Sequence, residues 1–166
     1  MNDLLILAHL LAGAQHGYAL KKQVGLITSQ REMHNNLIYP LLRRFRKNGW
    51  IKQSTAAGER GQTREMYALT RAGRQELLRR LGEFSQKDAG SENAFRLRVG
   101  MFGVLDRETR RRILRERDEW LAARQERVAR LTGVLDAGLW GSEVLKMLAQ
   151  QIRAERKWIS QLKRKT

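Results

Sequence analysis

The stretch Asn35-Asn36-Leu37-Ile38-Tyr39-Pro40-Leu41-Leu42-Arg43-Arg44-Phe45-Arg46-Lys47-Asn48-Gly49-Trp50 constrains the fold of this chain more than any other. Ile38, Leu41, Leu42 and Phe45 recur at helical spacing and define one buried stripe. Asn36, Tyr39, Arg43, Arg46 and Lys47 point the other way, making that side polar, aromatic and cationic. Pro40 falls near the first turns of the helix, where a missing backbone N–H costs least. Gly49 supplies the stop. Beyond it, Trp50–Ser54 reads as a strand, Thr55–Thr63 as a turn-rich loop and Arg64–Leu69 as a returning strand, with Tyr67 and Leu69 facing the core. A two-faced helix followed by a two-stranded ribbon predicts a winged helix-turn-helix, a layout that presents one helix to DNA.

The remaining elements are expected to be mainly helical. A first helix spans roughly Asn2–Ala12, with Leu4, Leu7, Ala8 and Leu11 on one face, and Gly13-Ala14-Gln15 ends it. A second begins near His16-Gly17 and carries Tyr18, Leu20, Lys21, Lys22 and Val24; the polar run Thr28-Ser29-Gln30-Arg31 separates it from the third. Thr70 is placed to cap a fourth helix through Leu81. From about Gly82 to Asn93 the residues turn small and polar, as in a linker. The expected organisation is therefore a winged helix at 1–83, a linker at 84–93 and a helical domain at 94–166.

Three helical patterns occupy that last domain. Ala94–Leu105 forms the first, Asp106 is placed to cap the second, and Ser142 to cap the third. Leu114, Leu121, Val128 and Leu135 repeat every seventh residue, with Arg117, Arg124 and Leu131 between them. Leu145, Leu148, Ile152 and Ile159 continue a stripe on the third helix. Near-heptad stripes on two long helices predict packing on each other and on a second subunit, which makes the chain a homodimer.

The 166 residues carry 33 Lys+Arg against 17 Asp+Glu, a formal net charge of +16. Such an excess favours a polyanionic partner, either nucleic acid or an anionic membrane surface. No apolar run approaches the ~20 residues of a spanning helix, and the start Met1-Asn2-Asp3 lacks the basic flank of a signal peptide. With no cysteine, disulfides and thiolate metal sites are excluded and a reducing cytoplasm is the default compartment. The charge is not concentrated in the winged helix. Residues 1–85 hold 14 Lys+Arg and 6 Asp+Glu, and residues 86–166 hold 19 and 11, a balance of +8 in each half.

Four blocks give the chain a resemblance to the PadR family of bacterial transcriptional regulators. They are Leu10–Lys22 with its His16-Gly17-Tyr18, Ile38–Arg44 with its Tyr39-Pro40, Asn48–Ile51, and Tyr67–Gly73, in family order. The likeness covers about residues 4–80, and the C-terminal part more loosely resembles the helical dimerisation region of longer PadR proteins. The resemblance implies a homodimer presenting two winged helices to successive major grooves of a pseudo-palindromic double-stranded operator. It also implies a repressor released by a small molecule or another signal. One departure stands out. Where the family has a small-Gly-Thr run, this chain has His34-Asn35-Asn36-Leu37, so Leu37 replaces a threonine able to contact phosphate.

A run of charge is ordinarily solvated surface, but the wing and the four blocks favour DNA contact by the third helix. Arg43 and Asn36 are candidates for base edges, since Arg suits guanine and Asn adenine; Tyr39, Arg46 and Lys47 are candidates for phosphate. At the wing tip, Arg60, Gln62 and Arg64 are candidates for the minor groove, and Lys21 and Lys22 for the backbone. Tyr18 and Tyr67 fit core positions. His9, His16 and His34 are scattered without carboxylate partners, so neither metal nor cofactor nor catalysis is expected. Trp120, Trp140 and Trp158 are expected to pack in the dimer core or, alternatively, to line a pocket for a small aromatic effector. The cluster Arg107, Arg110, Arg111, Arg112, Arg115 and Arg117 reads as one exposed face partly paired with Glu108, Glu116 and Asp118. Two other readings stay open: a non-specific architectural nucleic-acid binder, and a ligand-sensing or protein-interaction module with a vestigial winged helix.

Overall fold

Residues 2–27, 35–57, 63–134 and 138–166 are described in this computed structural model. The chain divides into two units, Met1–Glu83 and Phe84–Thr166.

In the first unit, α1 (Asn2–His9) runs into a 3-10 turn at Leu10–Ala12, followed by β1 (Gln15–His16), α2 (Gly17–Ile27), α3 (Asn35–Lys47), β2 (Ile51–Ala57), β3 (Thr63–Leu69) and α4 (Arg71–Gly82). The strands form one antiparallel sheet in the order β1-β3-β2, with Gln53 opposite Tyr67 and Thr55 opposite Glu65. The two-residue β1, which pairs Gln15 with Tyr67, is too short to leave a period in the sequence and extends the expected ribbon to three strands. The expected face of α1 is out of phase. Leu5, Ile6, Leu7 and Leu10 are the buried residues, while Leu4, Ala8 and Leu11 are only partly covered. A helix with apolar residues nearly all round gives no sharp stripe to read. Tyr67 is buried as expected, but Tyr18 is 59% exposed and does not join the core.

α3 ends as its sequence dictates. Gly49 takes φ +70, its N–H donates to the Arg46 carbonyl (3.0 Å) and the Trp50 N–H to the Phe45 carbonyl (2.9 Å). This pair of bonds satisfies carbonyls that the last turn leaves open, and the left-handed angle is easy for glycine. The chain then leaves as β2 with Trp50 packed on Phe45, ring centroids 5.6 Å apart. β3 returns to the same point. The Thr70 hydroxyl donates toward the carbonyls of Gly49 (2.6 Å) and Trp50 (3.1 Å), and accepts from the Gly73 N–H at 3.0 Å as the cap of α4. Gly73 must stay without a side chain, because a Cβ there would lie 1.9 Å from the Trp50 carbonyl oxygen. Arg80 closes the cluster, stacking over Trp50 at 4.7 Å and donating to Asp3 (2.6 Å) and Glu76 (2.6 Å).

In the second unit, α5 (Gln86–Ala89), α6 (Glu92–Gly100), a 3-10 turn at Phe102–Val104, α7 (Arg107–Val134) and α8 (Gly138–Lys163) follow. The stretch expected as a linker is instead helical and partly buried. Ser85 and Asp88 form a reciprocal capping box around α5, Ser91 caps α6, and Phe84 and Ala89 are buried. Its small polar residues are caps, which share the composition of linkers. Asp106 caps α7 as expected, its carboxylate accepting from the Thr109 N–H at 2.8 Å. α8, in contrast, begins at Gly138, so Ser142 lies inside the helix and caps nothing.

α7 and α8 pack on each other within one chain. Leu114, Leu121, Val128, Ile152 and Ile159, expected at a subunit interface, are buried inside the monomer, while Leu145 and Leu148 are half-buried. A heptad stripe records that a helix has a partner but not whose helix it is. Arg117, 2% exposed, donates to both Glu155 carboxylate oxygens (2.8 and 2.8 Å) and to the Ala89 carbonyl, and lies 5.6 Å from the Phe95 ring and 5.1 Å from Trp120. Asp118 receives Arg156 (2.9 Å) and Lys163 (2.7 Å) from α8. The arginine cluster of α7 is therefore not one exposed face. Arg110 donates to the Leu105 carbonyl, Arg112 pairs with Glu116 and Arg117 is internal, while Arg107, Arg111 and Arg115 are exposed.

Two outcomes follow from this packing. Gly73→Ala should cost about 3 kcal/mol or more, since the methyl would overlap backbone that cannot yield. Gly100→Ala, whose added methyl meets nothing within 4 Å, should change stability by less than about 1 kcal/mol; urea unfolding of both variants checks the contrast. The second concerns His9, whose Nε2 is buried without a hydrogen-bond partner and whose pKa burial pushes below the ordinary 6.5. The folded chain then binds fewer protons than the unfolded one. Stability should be complete above about pH 6.5 and decline as the pH falls below it. Melting temperatures from pH 7.5 to 5.5 should show this slope, and His9→Leu should flatten it; an equal slope in both proteins would assign it to another group.

Candidate nucleic-acid interface

The interface is built on α3. Ile38, Leu42 and Phe45, at 0, 2 and 0% exposure, lock one side of the helix into the core. The same register leaves Asn36, Tyr39, Arg43, Arg46 and Lys47 exposed, as the sequence predicts, with Leu37 47% exposed beside them. Leu41 is the one member of the expected stripe that is only partly covered. Pro40 is the sixth residue of α3 and removes the bond its N–H would make to the Asn36 carbonyl.

Two clefts lie between this face and the sheet. One of about 240 Å³ is lined by Tyr39, Leu42, Arg43, Arg46, Gln53, Glu65 and Tyr67. The other, of about 540 Å³, is lined by His16, Gly17, Tyr18, Tyr39, Arg64, Glu65 and Tyr67. Gly17 lets the aromatic wall close in, since a Cβ there would sit 3.3 Å from the Tyr39 ring. His16 accepts the Ala19 N–H through Nδ1 (3.1 Å), capping α2, and stacks on the exposed Tyr18 ring at 6.3 Å. Tyr18 thus belongs to the surface cleft. Helix and sheet are joined across the smaller cleft by Arg46, whose guanidinium donates to the Gln53 side chain. The Tyr67 hydroxyl donates to Glu65 at 2.8 Å; burial, then that hydrogen bond, pushes the phenol up to about 12.

Of the other expected contacts, Lys22 and Arg64 are exposed and Lys21 is half-buried. Arg60 and Gln62 lie outside the described residues, as do Leu135 and His34. Sequence reasoning does not reach Gln53 and Glu65. The available signal is the period-two alternation of the strands, which puts both on the side of Tyr67. The tryptophans are not brought together. Trp120 packs between Arg117 and Arg124 against Gly90, Trp158 meets Phe95 edge-on at 5.8 Å, and Trp140 is 80% exposed. No group of side chains able to hold a metal ion occurs among the described residues, and no described helix is long and apolar enough to cross a membrane.

The signature of the transcriptional regulator PadR-like family matches residues 6–79, which contain α2, α3, the sheet and the Thr70–Gly73 cap. Residues 6–79 form a domain of the PadR-like family of transcriptional regulators. No curated protein matches this PadR-like chain. Among solved structures it is similar to a protein of Thermoplasma acidophilum described as a transcriptional regulator, with 32% identity over 46% of this chain and 72% of that one, at a TM-score of 0.43. A transcriptional regulator from Clostridium thermocellum shares 28% identity over 47% of this chain and 76% of that one, at a TM-score of 0.42. Bacillus subtilis PadR, solved in complex with operator DNA, shares 19% identity over 99% of this chain and 97% of that one, at a TM-score of 0.47. The expected winged helix-turn-helix with C-terminal helices is the fold observed.

Proposed function

We propose that this PadR-like regulator is a dimeric repressor that reads a pseudo-palindromic operator through α3. The observation that carries the reading is the division of α3 into a fully buried side at Ile38, Leu42 and Phe45 and an exposed side bearing Asn36, Tyr39, Arg43, Arg46 and Lys47. A rigidly seated helix with such a face suits a major groove. Arg43 and Asn36 read base edges, while Tyr39, Arg46, Lys47, Lys22 and Arg64 hold phosphates. Arg46 enters that role already oriented by Gln53.

The dimer reading moves to a new surface. Trp140, Val144 and Met147 share one face of α8 and are 80, 53 and 44% exposed; Leu139 (70%) and Leu131 (44%) are exposed as well. We assign this apolar end of the long helices to the partner subunit. Changing both Trp140 and Val144 to Glu in the full chain should convert a dimer to a monomer by light scattering, with its melting temperature nearly unchanged. A variant that remains a dimer removes this surface from the interface.

Competition binding tests the reading of DNA. A sequence selected from a random duplex pool should be bound at least ~10³ more tightly than bulk duplex. Arg43→Ala should cost about 1–3 kcal/mol on that sequence and relax preference at one position, whereas Lys47→Ala should weaken all duplexes alike and reduce the salt slope. Equal affinity for every duplex would instead establish the architectural reading that the even spread of charge suggests.

A further inference from the structure

Across α2, α3, β2 and β3, the described residues contain a single carboxylate, Glu65. It does not lie at a margin. It lines the two clefts between α3 and the sheet, in the company of His16, Arg64 and Tyr39 on one side and of Arg43, Arg46 and Tyr39 on the other. Nor is it consumed by an ion pair with Arg46, whose guanidinium goes to neutral Gln53. Its defined partner is the Tyr67 hydroxyl, a neutral donor at 2.8 Å anchored in a ring that is only 5% exposed. The carboxylate is therefore held in place while its charge stays on the surface, Glu65 being an exposed residue.

We propose that Glu65 is a specificity-determining residue that acts by repulsion, keeping DNA phosphate out of the seam between the recognition helix and the sheet. The proposal rests on the reading of α3 as the DNA-contacting helix. A face carrying Arg43, Arg46, Lys47 and Arg64 attracts any phosphate backbone in any register, and that attraction carries no sequence information. A fixed negative charge among them penalises registers that thread a phosphate between α3 and β3. The register that places base edges against Asn36 and Arg43 keeps the backbone outside the seam and escapes the penalty. Discrimination obtained by penalising the wrong complex is a general route to specificity.

Glu65→Gln isolates the charge, because the amide oxygen can still accept from Tyr67. Affinity is measured for a duplex selected by the wild-type chain and for a random duplex, each across a salt series. In the variant, random-duplex affinity should rise about fivefold, the scale of one unit-charge repulsion at contact distance in water. Its salt slope should steepen by about one contact, and affinity for the selected duplex should change less than twofold. Glu65→Lys should move the random duplex further in the same direction. Unchanged preference in both variants overturns the proposal, as does a loss of binding to the selected duplex with the melting temperature intact, which would make Glu65 a direct base contact. A wild-type chain that selects no sequence overturns the DNA reading itself, a distinct result from an unaltered preference.

Discussion

The first unit depends on one close approach, the backbone of Gly73 against the carbonyl of Trp50. At 1.9 Å from a hypothetical Cβ, the contact admits no other residue, and it brings the start of α4 onto the end of α3. Thr70 makes the approach specific. Its hydroxyl and N–H all engage Gly49, Trp50 or Gly73, so one residue caps α4 and satisfies the carbonyls that the Gly49 turn exposes. The orientation of α3 follows from this junction. Phe45 is pinned by Trp50, Trp50 is covered by Arg80, and the exposed face of the helix is what remains. The interface is thus positioned from behind, by residues that need touch no ligand.

The second unit handles charge in another way. Burying a guanidinium is costly unless its donors are matched, and Arg117 meets two carboxylate oxygens, a carbonyl and two aromatic faces. Arg98, 3% exposed, lies over Phe84 and donates to the Ala94 carbonyl in the same manner. These side chains staple the short helices α5 and α6 into the unit. Part of the +8 counted for residues 86–166 is therefore structural cement, and the equal balance of the two halves does not mean equal surfaces.

What the sequence makes legible follows from this physics. The stripe and cationic face of α3, the Thr70 and Asp106 caps and the β2–β3 ribbon rest on local rules, and all are observed. Three kinds of feature escape. β1 is defined only by its pairing with β3. The 84–93 stretch fails because Ser, Asp and Gly serve both caps and linkers. The seam of α7 and α8 is legible as a seam, but its assignment to a subunit interface escapes, because Leu114, Leu121 and Val128 find their partner within the chain, where a heptad stripe fits equally well. Tyr18 is displaced for a subtler reason. An aromatic beside the start of α2 can face the core or the cleft, and Gly17 together with the His16 stack sets it toward the cleft.

A protein with a net charge of +16 has no shortage of attraction to DNA; what it needs is a way to refuse most of it. In the proposed reading, hydrogen bonds from Asn36 and Arg43 would reward one sequence, whereas each added lysine or arginine raises the affinity for all the others as well. An acid fixed among the cations works against that common term alone. Placed at the junction of helix and sheet, and tethered by the hydroxyl of a core tyrosine, it costs the cognate complex little and every slipped register something. The seating of Tyr67 in the core then serves two ends at once. It joins β3 to the body of the winged helix, and it holds Glu65, the single carboxylate among the described residues of α2, α3, β2 and β3, where a misplaced phosphate would meet it.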